Sequence, residues 1–320
     1  MFMLFIVLAY EAVNILFYRQ NEQKDTRISV YGFIIVISCF LQAMFGVVQF
    51  FGFFQISTTL WVTGSFDNPA GFAACLCAGF PFVGFLLSDS NKYIRYVGGL
   101  IGFVIVIAVI LSQSRAGIMS IAFICFILLN MKFFHKRWVK YLSLLCFALL
   151  LSGCYWMKKD SADGRLLIWR CSVSMVKDAP WLGHGIGSFE ARYMDYQADY
   201  FRQYGLNRYS MLADNVKHPF NEYLGVLLNF GFVGLLMILA LITLLIYCYK
   251  KHPCAEKRIA FYSLISIGVF SFFSYTFTYP FTWIVTFLCI IILTKEYIAK
   301  VFTCPIIKNT VCIFILLCSF

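Results

Sequence analysis

Three side chains sit where their charge or proton is costly to place. Arg115 lies in Ser112-Gln113-Ser114-Arg115-Ala116-Gly117, between apolar stretches at 96–111 and 116–131. A guanidinium between two apolar helices is expensive unless it reaches an aqueous pocket or an anion. Snorkelling to the interface is the plainer alternative. Arg165 follows Asp163-Gly164 and precedes Leu166-Leu167-Ile168-Trp169-Arg170. Its planar fork is the group best matched to phosphate, although a solvated surface arginine would look the same. His218 precedes Pro219, which restrains it to an extended conformation and suits Pro219 as the first residue of a helix. The partial positive charge of that helix terminus disfavours imidazolium and keeps the ring neutral, as a general base requires. Asn221 and Glu222 fall in the same first turn. Two anion-binding forks and one neutral base are the chemistry on offer.

Other candidates carry weaker signals. Asp67, in Gly64-Ser65-Phe66-Asp67-Asn68-Pro69, is placed to orient a substrate, and helix capping explains the segment equally well. Tyr193, Tyr196, Tyr200 and Tyr204 recur at spacings of three, four and four, which makes one helical stripe. Such a stripe rests on lipid headgroups or stacks on sugar rings. Gly183-His184-Gly185-Ile186-Gly187 follows a helix and Pro180 rather than a strand, so it reads as a turn between helices and not a nucleotide loop. His135 and His252 fall in short basic connectors. Most of the 13 cysteines lie inside apolar runs as small hydrophobes, and no Cys or His spacing suggests a metal site. Neither cofactor nor metal is expected.

The elements that must position these groups are membrane helices. Sixty-one per cent of residues are hydrophobic and 13% charged, and mean hydropathy is +0.81. An ordinary globular chain is about half apolar and about a quarter charged. Only lipid accommodates that much apolar surface. Apolar stretches near spanning length, about 20 residues, occur at 1–18, 29–51, 70–88, 96–111, 116–131, 139–157, 221–248, 259–277 and 281–294, and another begins near 309. The expected fold is all-α and polytopic, with about nine or ten transmembrane helices and one large periplasmic loop containing helices.

Orientation follows from the basic residues. Connectors 19–28, 89–95, 132–140, 249–258 and 295–308 together hold 16 Lys and Arg, whereas 52–69, 112–115 and 278–280 hold only Arg115. The first set is therefore cytoplasmic. The net charge of +11 is explained by that asymmetry, so no nucleic-acid partner is expected. The long polar insertion near 158–219 then lies on the opposite face. Its first helix is expected over 164–178, N-capped by Asp163, and its second from Ser188 as N-cap to Tyr204, stopped by Gly205. Three regions follow: an N-terminal bundle of six segments over 1–157, the periplasmic helical loop over 158–219, and a C-terminal bundle over 220–320. The start lacks a basic n-region or cleavage site, so 1–18 does not read as a signal peptide. Both ends look abrupt, and further helices upstream, downstream or both are expected.

In this order and spacing, several segments resemble the O-antigen ligase and polymerase superfamily of bacterial inner-membrane glycosyltransferases. They are Gly64 to Pro69, Ser112 to Gly117, Gly164-Arg165-Leu166-Leu167-Ile168-Trp169, and Pro180-Trp181-Leu182-Gly183-His184-Gly185-Ile186-Gly187. His218-Pro219-Phe220-Asn221-Glu222-Tyr223-Leu224 and Phe230-Gly231-Phe232-Val233-Gly234-Leu235 complete the set. The resemblance covers roughly 60–240.

The resemblance implies metal-independent transfer of a glycan from undecaprenyl diphosphate to an acceptor hydroxyl, in the bacterial inner membrane with the active site facing the periplasm. It implies Arg115, Arg165 and His218 as catalytic residues; Asp67, Arg170, Lys217, Asn221, Glu222, Tyr193 and Tyr196, read from the residues themselves, are the substrate-binding candidates. The acceptor is lipid A core for a ligase, a second lipid-linked repeat for a polymerase, or a protein for an O-oligosaccharyltransferase. Ligase is the broad family label. A lipid-linked glycan transporter, with the arginines as gating charges, is the rival from another class; such folds show paired halves with matching broken helices, and no matching halves are evident.

Overall fold

In the computed structural model, residues 24–53, 62–133, 137–157 and 159–302 are described. The stretches expected at 1–18 and from 309 lie outside them. Every regular element among the described residues is helical. In chain order these are α1 (Lys24–Phe50), α2 (Pro69–Gly79), α3 (Val83–Leu87), α4 (Lys92–Leu111), α5 (Arg115–Phe133), α6 (Arg137–Met157), α7 (Lys159–Asp178), α8 (Ser188–Tyr204), α9 (Glu222–Lys251), α10 (Ala255–Phe273) and α11 (Pro280–Phe302). Among the described residues, five stretches are long and apolar enough to cross a membrane: Val30–Phe50, Pro69–Leu87, Lys92–Leu111, Glu222–Lys251 and Pro280–Tyr297. Their outward faces carry bare apolar side chains such as Leu41, Phe103 and Met237, as lipid-facing surfaces do. The chain is an all-α, multi-pass membrane protein.

The core is built around α2. Asn68 caps it, its Oδ1 accepting from the Gly71 N–H at 2.9 Å, and Pro69 opens it. Every residue from Gly71 to Gly79 is buried, and small side chains let α1, α5, α10 and α11 close in. Pro81 interrupts the helix, which continues as a 3₁₀ turn over Phe80–Phe82 and then as α3. The ring removes the N–H that would have bonded the Cys77 carbonyl. Ser266 Oγ of α10 donates to that carbonyl at 2.7 Å, and Ser263 Oγ donates to the Ala78 carbonyl at 2.7 Å. A typical interhelical bond in a membrane contributes about 0.6 kcal/mol. An unsatisfied carbonyl in hydrocarbon costs several kcal/mol. Ser266 matters because it satisfies the carbonyl that proline set free.

At the end of the bundle where the basic connectors lie, Lys257 Nζ meets Glu296 at 2.6 Å and Lys295 meets Glu256 at 3.0 Å, fastening α10 to α11. The other end carries the long insertion. There α7 begins at Lys159, earlier than expected, so Asp163 is no N-cap: it lies within the helix, buried, and accepts from the Tyr155 hydroxyl at 3.2 Å. Helix α8 has the expected limits, but Gly187, at φ 79°, occupies the cap position instead of Ser188. Gly205 ends it at φ 67°.

The glycine-rich turn between α7 and α8 has a structural role. Helix α9 breaks at Gly231 (φ 61°, ψ −158°), and the 180–185 turn is stitched into the break. His184 and Gly185 N–H donate to the Leu228 and Asn229 carbonyls at 2.7 and 3.1 Å, while Phe232 and Val233 N–H donate to the Pro180 and Trp181 carbonyls at 2.8 and 3.2 Å. A Cβ on Gly231 would lie 2.3 Å from the Trp181 backbone. Only glycine fits there.

Candidate active site

Arg115, Arg165 and His218 come from three separate stretches of chain, and the loop end of the bundle gathers them. Arg115 is the first residue of α5, and the turn before it is tight: Gln113 has φ 52°, Ser112 Oγ donates to the Val109 carbonyl at 2.7 Å, and Ser114 Oγ accepts from the Gly117 N–H at 3.4 Å. Its guanidinium donates to Ser161 Oγ on α7 at 2.8 Å. One turn further along α7, Arg165 donates to the Phe273 carbonyl at 2.7 Å, at the C-terminus of α10 where carbonyls lack helical partners. Burial, then the nearby Arg115 charge, pulls the Arg165 pKa down to about 10, opposed by Tyr275, so it stays charged at neutral pH. Two cations held this close attract an anion between them.

The His218 segment is pinned to the same helix. Trp169, four residues after Arg165 on α7, donates its indole N–H to the Pro219 carbonyl at 2.9 Å, and the Arg165 guanidinium lies 5.1 Å from the Phe220 ring centre. Phe220 has φ 52°. Gln113 and Phe220 are the two non-glycine residues with positive φ among the described residues, and each lies two residues from a candidate catalytic side chain. Left-handed backbone at such residues costs of order 1 kcal/mol and persists where the surroundings impose it.

The His218 ring stacks on Tyr275, centroids 4.9 Å apart and 26° between planes. Burial lowers its pKa below the ordinary histidine value; Lys217 adds to this and Glu190 opposes it. The ring is held neutral, by burial foremost. Beside it opens a cavity of about 160 Å³, lined also by Glu222, Tyr275 and Thr278. Asn221 caps α9, its Oδ1 accepting from the Leu224 N–H at 3.0 Å, and Glu222 accepts from the Phe277 N–H at 2.8 Å.

The remaining candidates divide. Asp67 is exposed at the rim, beside Asn68, whose Oδ1 also accepts from the Tyr279 hydroxyl at 3.0 Å. Lys217 is adjacent to His218 but its amine faces Glu190 at 3.7 Å. Arg170 is spent within the loop, over the Tyr209 ring at 5.2 Å and donating to the Tyr200 hydroxyl at 3.4 Å. The tyrosine stripe is not an open platform. Tyr193 is 1% exposed and stacked on Phe189 inside the loop's own core, while Tyr196 donates to Asp178 at 2.5 Å. His184 bonds the Met175 carbonyl and Arg192, which fixes the turn and leaves it no catalytic part.

Sequence reasoning missed the 274–279 segment. The sequence divides it between the apolar run 259–277 and the connector 278–280, yet Tyr275 stacks on His218, approaches Arg165 and lies 6.1 Å from Tyr279. The available signal was the alternation Tyr275-Thr276-Phe277-Thr278-Tyr279 ahead of Pro280.

Residues 100–239 match the family described as O-antigen ligase. Over that stretch the chain is similar to the O-antigen ligase family. No curated protein matches the chain. The matched stretch holds Arg115, Arg165, Trp169 and His218; Asp67 and Tyr275 lie outside it. The family supports glycosyltransferase activity of the O-antigen ligase type, with a lipid-linked glycan and an acceptor as partners in general terms.

Proposed function

We propose that the protein transfers a glycan from undecaprenyl diphosphate to an acceptor hydroxyl with inversion, as an O-antigen ligase, without a metal, at the periplasmic face of the bacterial inner membrane. The observation that carries this reading is the meeting of Arg115, Arg165 and the neutral His218 ring through Phe220 and Tyr275. His218 takes the proton of the acceptor hydroxyl. The oxygen then attacks the anomeric carbon from the face opposite the diphosphate. The bond from that carbon to the diphosphate oxygen breaks, and its electron pair leaves with the phosphate. The two guanidinium groups stabilise the charge that grows there, where preorganised donors are most effective.

An apolar groove of about 740 Å³ supports a lipid-linked donor. It runs between α5, α6, α9 and α10, and its loop end is closed by Phe272 and Phe273, the residue whose carbonyl holds Arg165. Asp67 at the rim, with Asn221 and Glu222 beside the small cavity, suits the sugar and acceptor side. A repeat-unit polymerase and a protein O-oligosaccharyltransferase share the same bond-making step and differ in acceptor.

The test is transfer in reconstituted liposomes, offering lipid A core, a second lipid-linked repeat and a periplasmic protein as acceptors. His218→Ala should lower the rate about 10²–10⁴-fold, and Arg115→Ala should abolish detectable product, with both variants still inserting. Near-normal transfer by His218→Ala would remove the base assignment.

A further inference from the structure

The lysine end of the bundle carries a third recess, remote from the arginine and histidine groups. A groove of about 560 Å³ opens between the 3₁₀ turn, α3, α4, α5 and α10. That lies within the ~300–1,000 Å³ range of ligand sites. Its floor is Val83 and Ile259, both buried, and its mouth is Phe103, Leu128 and Met131, all exposed toward the lipid zone. One wall is bare backbone. A Cβ on Gly99 of α4 would meet nothing within 4 Å, and one on Gly102 would only reach ordinary contact with Val83 at 3.5 Å. Glycine within a helix costs about 0.5–1 kcal/mol relative to alanine. Two such residues facing open space keep the groove wide enough for a chain of methylenes.

The rim supplies the charge. Arg258 lines the groove from the first turn of α10, with its side chain exposed. Cations close by are already engaged: Lys257 with Glu296, Lys295 with Glu256, and Arg95 with the Asp89 and Ser90 carbonyls. Arg258 forms no side-chain hydrogen bond or ion pair among the described residues. A guanidinium fork beside an apolar groove matches a phosphate ester joined to an acyl chain, and the N-terminal end of α10 adds partial positive charge. An anionic phospholipid satisfies both parts at once, and a basic membrane surface favours it over a zwitterionic one.

We infer that this groove is a binding site for an anionic phospholipid of the phosphatidylglycerol type, one acyl chain lying along Gly99 and Gly102 and the phosphate on Arg258. The site is independent of the transfer reaction.

The test is native mass spectrometry of the full chain in mild detergent, with equimolar phosphatidylglycerol and phosphatidylethanolamine of identical acyl chains. Charge-assisted recognition predicts about tenfold greater retention of phosphatidylglycerol. Arg258→Gln should erase that preference, whereas Arg95→Gln, which alters a cation outside the groove, should keep it. Gly102→Leu should reduce retention of both lipids; Gly99→Leu, whose side chain meets open space, gives the same test if the first variant does not fold. Equal retention of the two lipids by the unsubstituted chain, a preference surviving Arg258→Gln, or retention unchanged by filling the groove would each overturn the assignment.

Discussion

The two ends of the bundle treat buried cations differently. At the lysine end, the Lys257 side chain is fully buried and meets a carboxylate at 2.6 Å, with Lys295 and Glu256 as a second pair beside it. At the loop end, Arg165 is half-buried and donates to a neutral backbone carbonyl, with Arg115 close enough to depress its pKa. No carboxylate forms an ion pair with Arg165 among the described residues. A cation that fastens helices is neutralised within the fold. Arg165, by contrast, is held by a neutral oxygen, which is what the proposed phosphate role requires.

The largest expected effect comes from breaking the lysine end. Glu296→Ala leaves Lys257 buried without its partner, at a cost of about 3–5 kcal/mol. Thermal unfolding in detergent should fall accordingly, and pairing Glu296→Leu with Lys257→Met should restore most of it. Equal stability of Glu296→Ala and the parent would mean the pair is solvated. At the loop end the consequences should reverse. Arg165→Gln should leave the unfolding midpoint nearly unchanged while transfer falls about 10²–10³-fold, the loss typical of one oxyanion-type donor. A large drop in stability with transfer intact would make Arg165 a helix cap and nothing more.

The smallest effect is in the pH profile. His218 must be neutral to accept a proton, and its pKa is lowered by burial first. Activity should therefore persist below the ordinary histidine value of about 6.5 and then fall about tenfold per pH unit. Because Glu190 raises that pKa and Lys217 lowers it, Glu190→Gln should move the acid limb down and Lys217→Gln should move it up. Rate measurements across pH 4–8, a range chosen to bracket the usual ~6.5, would read both shifts. Identical limbs in all three proteins would place the controlling proton elsewhere.

Much of this is legible in the sequence. Among the described residues the apolar runs matched the helices closely, and Pro69, Gly205 and the Ser112–Gly117 turn marked ends where ends occur, whereas α9 starts at Glu222 behind the Asn221 cap and not at Pro219. Arg115, Arg165 and His218 were picked from the cost of their placement and from short motifs. The errors have local causes. Asp163 reads as a cap because Asp is a preferred N-cap residue, but the helix starts earlier and Asp163 lies buried within it, bonded by Tyr155. The Tyr193 stripe looked like a platform because periodicity reveals a face without saying what covers it.

Sequence alone determined that the chain lives in a bilayer and where its helices run, because lipid leaves the backbone no partner except its own neighbouring turn. It also determined which residue types are available for anion binding and proton transfer. Tertiary structure decided the rest: that Tyr275 stacks on His218, that Phe273 holds Arg165, that Ser266 satisfies the carbonyl freed by Pro81, and that the 180–185 turn fills the break at Gly231. Each of these joins residues far apart in the chain, and no periodic pattern records which distant side chain will fill a gap that helix packing leaves.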